Sequence, residues 1–175
     1  VAPARREIGI RSIFNLVGPL ANPARAARQV VGVADGRAVR TVAEALRRLG
    51  SERAAAVRGI DGMDEVSLSG PTVVVEWTGS QIVEYEIDPA ALRLTRRAVP
   101  ALRGGDAEEN AAIVRAILSG RAGPHRDVVA LNAALALVIA GIAADLLDGM
   151  RRAALSIDSG AAAAKLDGLV RMTVS

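Results

Sequence analysis

The chain has 175 residues, a formal net charge of +3, 51% hydrophobic and 23% charged residues, and no cysteine. That balance belongs to a folded globular domain with a real core. The missing thiol excludes disulfide frameworks, thiolate zinc sites and cysteine nucleophiles, and suits a reducing compartment such as the cytoplasm.

The basic residues do not describe a nucleic-acid face. Of the 22 Lys and Arg only Lys165 is a lysine. The arginine pairs Arg47-Arg48, Arg96-Arg97 and Arg151-Arg152 are scattered, and the only aromatic residues are Phe14, Trp77 and Tyr85. A binder of nucleic acid gathers its charge and adds stacking rings.

The opening stretch, Ala4 to Arg28 (ARREIGIRSIFNLVGPLANPARAAR), sets arginines around an apolar helical turn. A guanidinium beside an apolar pocket grips a small carboxylate with two parallel hydrogen bonds. On the residues alone Arg5 is either such a contact or an ordinary surface arginine. Gly18 permits close backbone approach and Pro19 stiffens the chain, as a pocket wall requires.

Gln29 to Ala34 (QVVGVA) reads as a buried strand. A helix follows over Ala38 to Leu49, with Val39, Val42, Ala43, Leu46 and Leu49 on one stripe and Gly50 as its stop. Arg53 to Val57 is a second strand, and strand–helix–strand at these lengths predicts parallel pairing. The segment Arg58 to Thr72 (RGIDGMDEVSLSGPT) is a loop in which Asp64 and Glu65 stand side by side, with Asp61 close by. Adjacent hard oxygen donors suit Mg²⁺, or they form a solvated acidic turn. Val73 to Trp77 and Ile82 to Ile87 read as an antiparallel hairpin through Gly79-Ser80, a type II′ turn with glycine at positive φ.

The second half is helical. Asp106 with Glu109 forms a variant capping box, so the preceding Gly104-Gly105 serves capping rather than phosphate, which Asp106, Glu108 and Glu109 would repel. The apolar run Val128 to Ala144 reads as a buried helix from about Asp127 to Ala140, and its one polar residue, Asn132, then needs an internal partner. His125 has no evident partner and is assigned no role. Helices over Leu146 to Ile157 and after Asp158-Ser159-Gly160, read as a cap, complete an α/β class with a helix-rich second half.

Taken whole, RREIGIRSIFNLVGPLANP with DGMDEVSLSGPT, LRGGDAEENAAIVRAILSG, RDVVALNAALALVIAG and DSGAAAAKLDGLV resembles the anthranilate phosphoribosyltransferases of tryptophan biosynthesis, in one order from end to end. The resemblance implies a nucleoside-phosphorylase-like phosphoribosyltransferase domain, and transfer of phosphoribose from phosphoribosyl diphosphate to anthranilate. It implies Arg5 on the anthranilate carboxylate, Gly18 and Pro19 in the anthranilate channel, and Asp64 and Glu65 as ligands of Mg²⁺ facing the diphosphate. Residues 1–27 are then expected with a small helical domain and 28–175 with the α/β domain of a homodimer, with neither nucleic acid nor membrane as partner.

Arg58 departs from the family, which generally has histidine there. The family's glycine-rich phosphoribosyl diphosphate loop, its Asn-Ser contacts and its Lys-His-Gly-Asn segment have no counterpart in this chain. It therefore resembles a carboxyl half, inactive alone and expected to expose strand edges and apolar surface. A pyrimidine-nucleoside phosphorylase and a non-catalytic nucleic-acid-binding relative of the same fold are the competing expectations, and a pseudoenzyme or assembly subunit is a third.

Overall fold

The computed structural model describes Gly18 and residues 20–174. The first strand, β1 (Arg28–Gly32), pairs in parallel with β2 (Arg53–Gly59). The helix between them, α1 (Val39–Arg48), is preceded by a short 3-10 turn over Gly36–Ala38. β2 then pairs antiparallel with β3 (Thr72–Trp77), and β3 with β4 (Ile82–Ile87), giving the sheet order β1-β2-β3-β4. The parallel pair and the hairpin are as the sequence predicts. Gly79 takes φ +95° between the hairpin strands, and Thr78 N–H donates to Gln81 O at 3.0 Å.

Alternation along β2 builds the two core layers. Ala54 and Ala56 join Val31, Val33, Val42 and Leu46 on the α1 side of the sheet. Ala55 and Val57 join Val66, Leu68, Leu131, Leu135 and Ile139 on the other. Period-two side chains reach opposite faces, so one short strand seals both layers. Each fully buried leucine or isoleucine contributes about 1.5–3 kcal/mol.

The second layer is closed by α3 (Pro124–Ile139), flanked by α2 (Ala107–Leu118), α4 (Leu146–Asp158) and α5 (Ala161–Val174). α3 packs closely on α4, because a Cβ at Gly149 would lie 2.8 Å from the Ala134 backbone. The apolar run is thus a buried core helix, and among the described residues no helix is long and apolar enough to cross a membrane.

Three local readings change. α3 begins at Pro124 rather than about Asp127, because proline's fixed φ starts a helix well and Gly123 supplies the turn into it. Leu49 is 64% exposed, since α1 ends before its stripe reaches that position. Asp158 does not cap α5; it forms a 2.8 Å ion pair with Arg126.

The capping box at Asp106 forms as predicted. Asp106 accepts from the N–H groups of Glu108 and Glu109, and Glu109 accepts from the Asp106 N–H. Glu109 and Asn110 fill the space beside Gly105 and Gly104.

Candidate functional site

The acidic loop leaves the carboxyl end of β2, beside the carboxyl end of the parallel strand β1. In α/β folds this end of the parallel strands is where ligands bind. Its neck is closed by Ile60 N–H donating to Pro71 O at 3.0 Å, and its first turn by Gly59 N–H donating to Met63 O at 2.9 Å.

Asp61 staples the loop to itself. Its carboxylate accepts from the Ser67 and Ser69 hydroxyls and, at 3.0 Å, from Met63 N–H. Gly59 makes room for this, because a Cβ there would lie 2.4 Å from Asp61 Oδ1. Partial burial pushes the Asp61 carboxyl up, but the serine and backbone hydrogen bonds outweigh it and hold it below the usual carboxylate range.

Asp64 is exposed and Glu65 half-buried. Among the described residues neither side chain has an ion-pair or hydrogen-bond partner. Burial raises the Glu65 carboxyl, and the charges of Asp64 and Asp61 raise it further. A divalent cation would relieve that repulsion, and oxygen donors of this kind fit Mg²⁺. Among the described residues no group of three or more acidic or imidazole side chains forms a metal cage. Two carboxylates suit an ion that keeps much of its water and shares phosphate oxygens.

Two outside contacts position the pair. Behind Asp64, the end of β1 comes so close that a Cβ on Gly32 would lie 1.7 Å from the Asp64 carbonyl oxygen. After Glu65, the fully buried Val66 donates its N–H to Asn132 Oδ1 at 2.9 Å, and its carbonyl accepts from Asn132 Nδ2 at 2.9 Å. The same amide also donates to Val128 O at 3.0 Å. Asn132 therefore has the internal partner its place in the apolar run required. Gly32 carries no sequence signal of its role.

Arg58 lies on the same side. Its Nε donates to Ala34 O at 3.1 Å, which ties the end of β2 to the turn after β1. With Gly36, Val39, Gly59 and Pro71 it lines a small cavity of about 140 Å³.

Arg5 and Pro19 lie outside the described residues. Gly18 is exposed, and a Cβ on it would meet nothing within 4 Å. Leu20 to Ala27 pass the amino-terminal ends of β1 and β2, where they line a pocket of about 620 Å³ with Leu46, Gly50 and Ser51. Asp64 and Glu65 are at the opposite end of the parallel strands.

The chain is 53% identical over 173 residues to an anthranilate phosphoribosyltransferase of Azorhizobium caulinodans, covering 99% of this chain and 50% of that protein. It is 49% identical to one from Rhodopseudomonas palustris strain HaA2, over 100% of this chain and 52% of the relative. The chain thus spans about half the length of the curated relatives it matches.

The anthranilate phosphoribosyltransferase of Thermus thermophilus superposes with a TM-score of 0.89 at 41% identity, over 100% of this chain and 52% of that one. The Saccharomyces cerevisiae enzyme, solved in complex with PRPP and Mg, superposes with a TM-score of 0.86 at 27% identity, over 95% of this chain and 48% of that one. The profile described as glycosyl transferase family, a/b domain, matches residues 1–163, and the chain belongs to that family.

Proposed function

We propose that this chain supplies the carboxyl half of an anthranilate phosphoribosyltransferase, which joins anthranilate to phosphoribosyl diphosphate and gives N-(5-phosphoribosyl)anthranilate and diphosphate. The observation that carries the reading is identity near 50% to enzymes of that name over almost the whole chain. The Asp64–Glu65 pair at the end of the parallel strands, which has no partner among the described residues, supports it.

In this reading the anthranilate nitrogen bonds to the ribose C1, the C1–oxygen bond to diphosphate breaks with its electron pair leaving on diphosphate, and the nitrogen loses a proton. Asp64 and Glu65 would hold Mg²⁺. When bound there, the ion would supply positive charge against the departing diphosphate. Asp61, Gly32 and Asn132 hold the loop that presents the two carboxylates. Arg5 orients anthranilate through its carboxylate, with Gly18 and Pro19 in the channel wall. Residues 1–27 belong with the small helical part and 28–175 with the α/β part of a cytoplasmic homodimer.

The nucleic-acid-binding alternative is disfavoured by the arginines themselves. Arg28, Arg37, Arg40, Arg53, Arg96, Arg126, Arg151 and Arg152 are all paired with carboxylates. Charges neutralised in this way are not free for a phosphate backbone.

The test uses the full polypeptide that the gene encodes, mixed with anthranilate, phosphoribosyl diphosphate and MgCl₂. Anthranilate fluorescence should fall, with one diphosphate released per anthranilate consumed. Phosphorolysis of a pyrimidine nucleoside without anthranilate consumption would move the protein to the phosphorylase reading. Salt-sensitive DNA binding without turnover would move it to the nucleic-acid-binding one.

A further inference from the structure

We infer that Asn132 is a positioning residue for the Asp64–Glu65 pair, setting the geometry of the metal loop from the core helix α3. The inference rests on the reading of that pair as Mg²⁺ ligands.

The argument begins with the backbone. Val66 is fully buried, so both its N–H and its carbonyl require partners. It lies in an irregular segment between β2 and β3, where no strand ladder supplies them. Asn132 supplies both. Its carboxamide accepts from Val66 N–H and donates to Val66 O, as a neighbouring peptide would in a sheet. Among the described residues, the backbone N–H and C=O groups from Asp64 to Val66 have no other hydrogen-bond partner.

The consequence falls on Glu65. Its peptide nitrogen follows Asp64, whose carbonyl abuts Gly32, and its own carbonyl carbon is bonded to the Val66 nitrogen held by Asn132. The dipeptide is thus fixed by a steric stop on one side and a two-way polar clamp on the other. The clamp is anchored in turn, because Asn132 also donates to Val128 O one turn earlier in α3. Partners that orient metal ligands in this way typically control metal affinity about 10–100-fold.

A second asparagine makes the same kind of clamp elsewhere and provides the control. Asn110 accepts from Gly105 N–H at 3.1 Å and donates to Gly105 O at 2.9 Å, where it secures only the start of α2. Two clamps of equal chemistry differ in what they hold.

The experiment measures Mn²⁺ binding to the full polypeptide that the gene encodes, by electron paramagnetic resonance titration. Hydrogen exchange of Val66 and of α3 is followed in the same samples. Asn132→Ala should weaken Mn²⁺ about tenfold or more and speed exchange at Val66, with α3 still protected. Asn110→Ala should leave Mn²⁺ affinity unchanged. Should Asn132→Ala fail to fold, Asn132→Ser leaves a short polar side chain without the two-way clamp and is expected to show the same loss.

Wild-type Mn²⁺ affinity in a folded Asn132 variant, while Asp64→Asn abolishes binding, would overturn this inference alone. So would equal weakening by Asn110→Ala. Unchanged Mn²⁺ binding in Asp64→Asn would instead overturn the metal reading and the inference with it.

Discussion

Arg28 and Arg53 stand opposite each other in the register of β1 and β2, and both donate to carbonyl oxygens at the carboxyl end of α3, Ala140 and Val138 respectively. The last carbonyls of a helix have no partner within it, and cations there are favoured by its dipole. Two strand arginines therefore close the core helix that carries Asn132.

Arg53 has a second task. Its Nε lies 2.7 Å from Glu76 Oε1, and the Tyr85 hydroxyl donates to Glu76 Oε2 at 2.8 Å. Glu76 is buried, so removing its cation strands a charge. Arg53→Ala should cost about 3–5 kcal/mol, read as a lower denaturation midpoint of the full polypeptide. Replacing both partners together, as Arg53→Met with Glu76→Leu, should cost less. A single variant as stable as the wild type would refute the buried pair.

Gly32→Ala should act at a distance. Its new methyl group meets backbone, the Asp64 carbonyl, and not a flexible side-chain end. Overpacking of this kind costs about 1–3 kcal/mol, and here the relief is displacement of the acidic loop. A lower melting temperature together with weaker Mn²⁺ binding is the expected result. Unchanged values of both would mean that β1 does not press on Asp64.

Asp64→Asn and Glu65→Gln should each lower kcat in the anthranilate assay by about 10²–10³-fold, the usual loss when one stabiliser of transition-state charge is removed. Among the described residues neither side chain has a hydrogen-bond or ion-pair partner, so melting temperatures should hardly move. A large stability loss without a kinetic one would mark the pair as structural.

Asp61 gives the loop a pH dependence whose sign is fixed. Its carboxyl is held below its unfolded value, near about 3.9, by hydrogen bonds that outweigh its burial. The stabilisation is therefore complete above that unfolded value and is lost as pH falls through the folded one. Asp61→Asn should lower the melting temperature at neutral pH and lose less of it on acidification below about pH 4. Parallel wild-type and variant curves would show that Asp61 contributes nothing of the kind.

The 175-residue chain by itself should associate. Among the described strands β1 is paired on one side only, and an apolar groove of about 790 Å³ opens between α3, α4 and α5, with Ile142 and Leu155 exposed in it. An open edge beside apolar surface invites pairing. Sedimentation at micromolar concentration should show species larger than the monomer; a single monomeric boundary with a cooperative melt would count against it.

What the sequence made legible was local. Alternation in β2, the stripe on α1, the capping box at Asp106 and the glycine turn at Gly79 are each written within a few neighbouring residues. The carboxylates of the acidic loop were legible too, because their chemistry is in their side chains. What holds them was not. Asn132 announced only that it needed a partner, and that partner lies 66 residues away. Gly32 acts by lacking an atom, which no local pattern records. Asp158 looked like a cap because its neighbours suit one, and a distant arginine, Arg126, took its carboxylate instead.

The Gly32–Asp64 contact also bears on the order of folding. β3 and β4 are joined by a tight hairpin, a local pairing that generally forms within about 1–10 μs, whereas β1 reaches β2 only across a helix. Until β1 arrives, nothing stops the carbonyl of Asp64 from the rear. The chemistry-bearing loop should therefore be the last part of this sheet to set, after its scaffold. Pulse-labelled exchange should find β3 and β4 amides protected before that of Val66, and the reverse order would show that the loop forms without its stop.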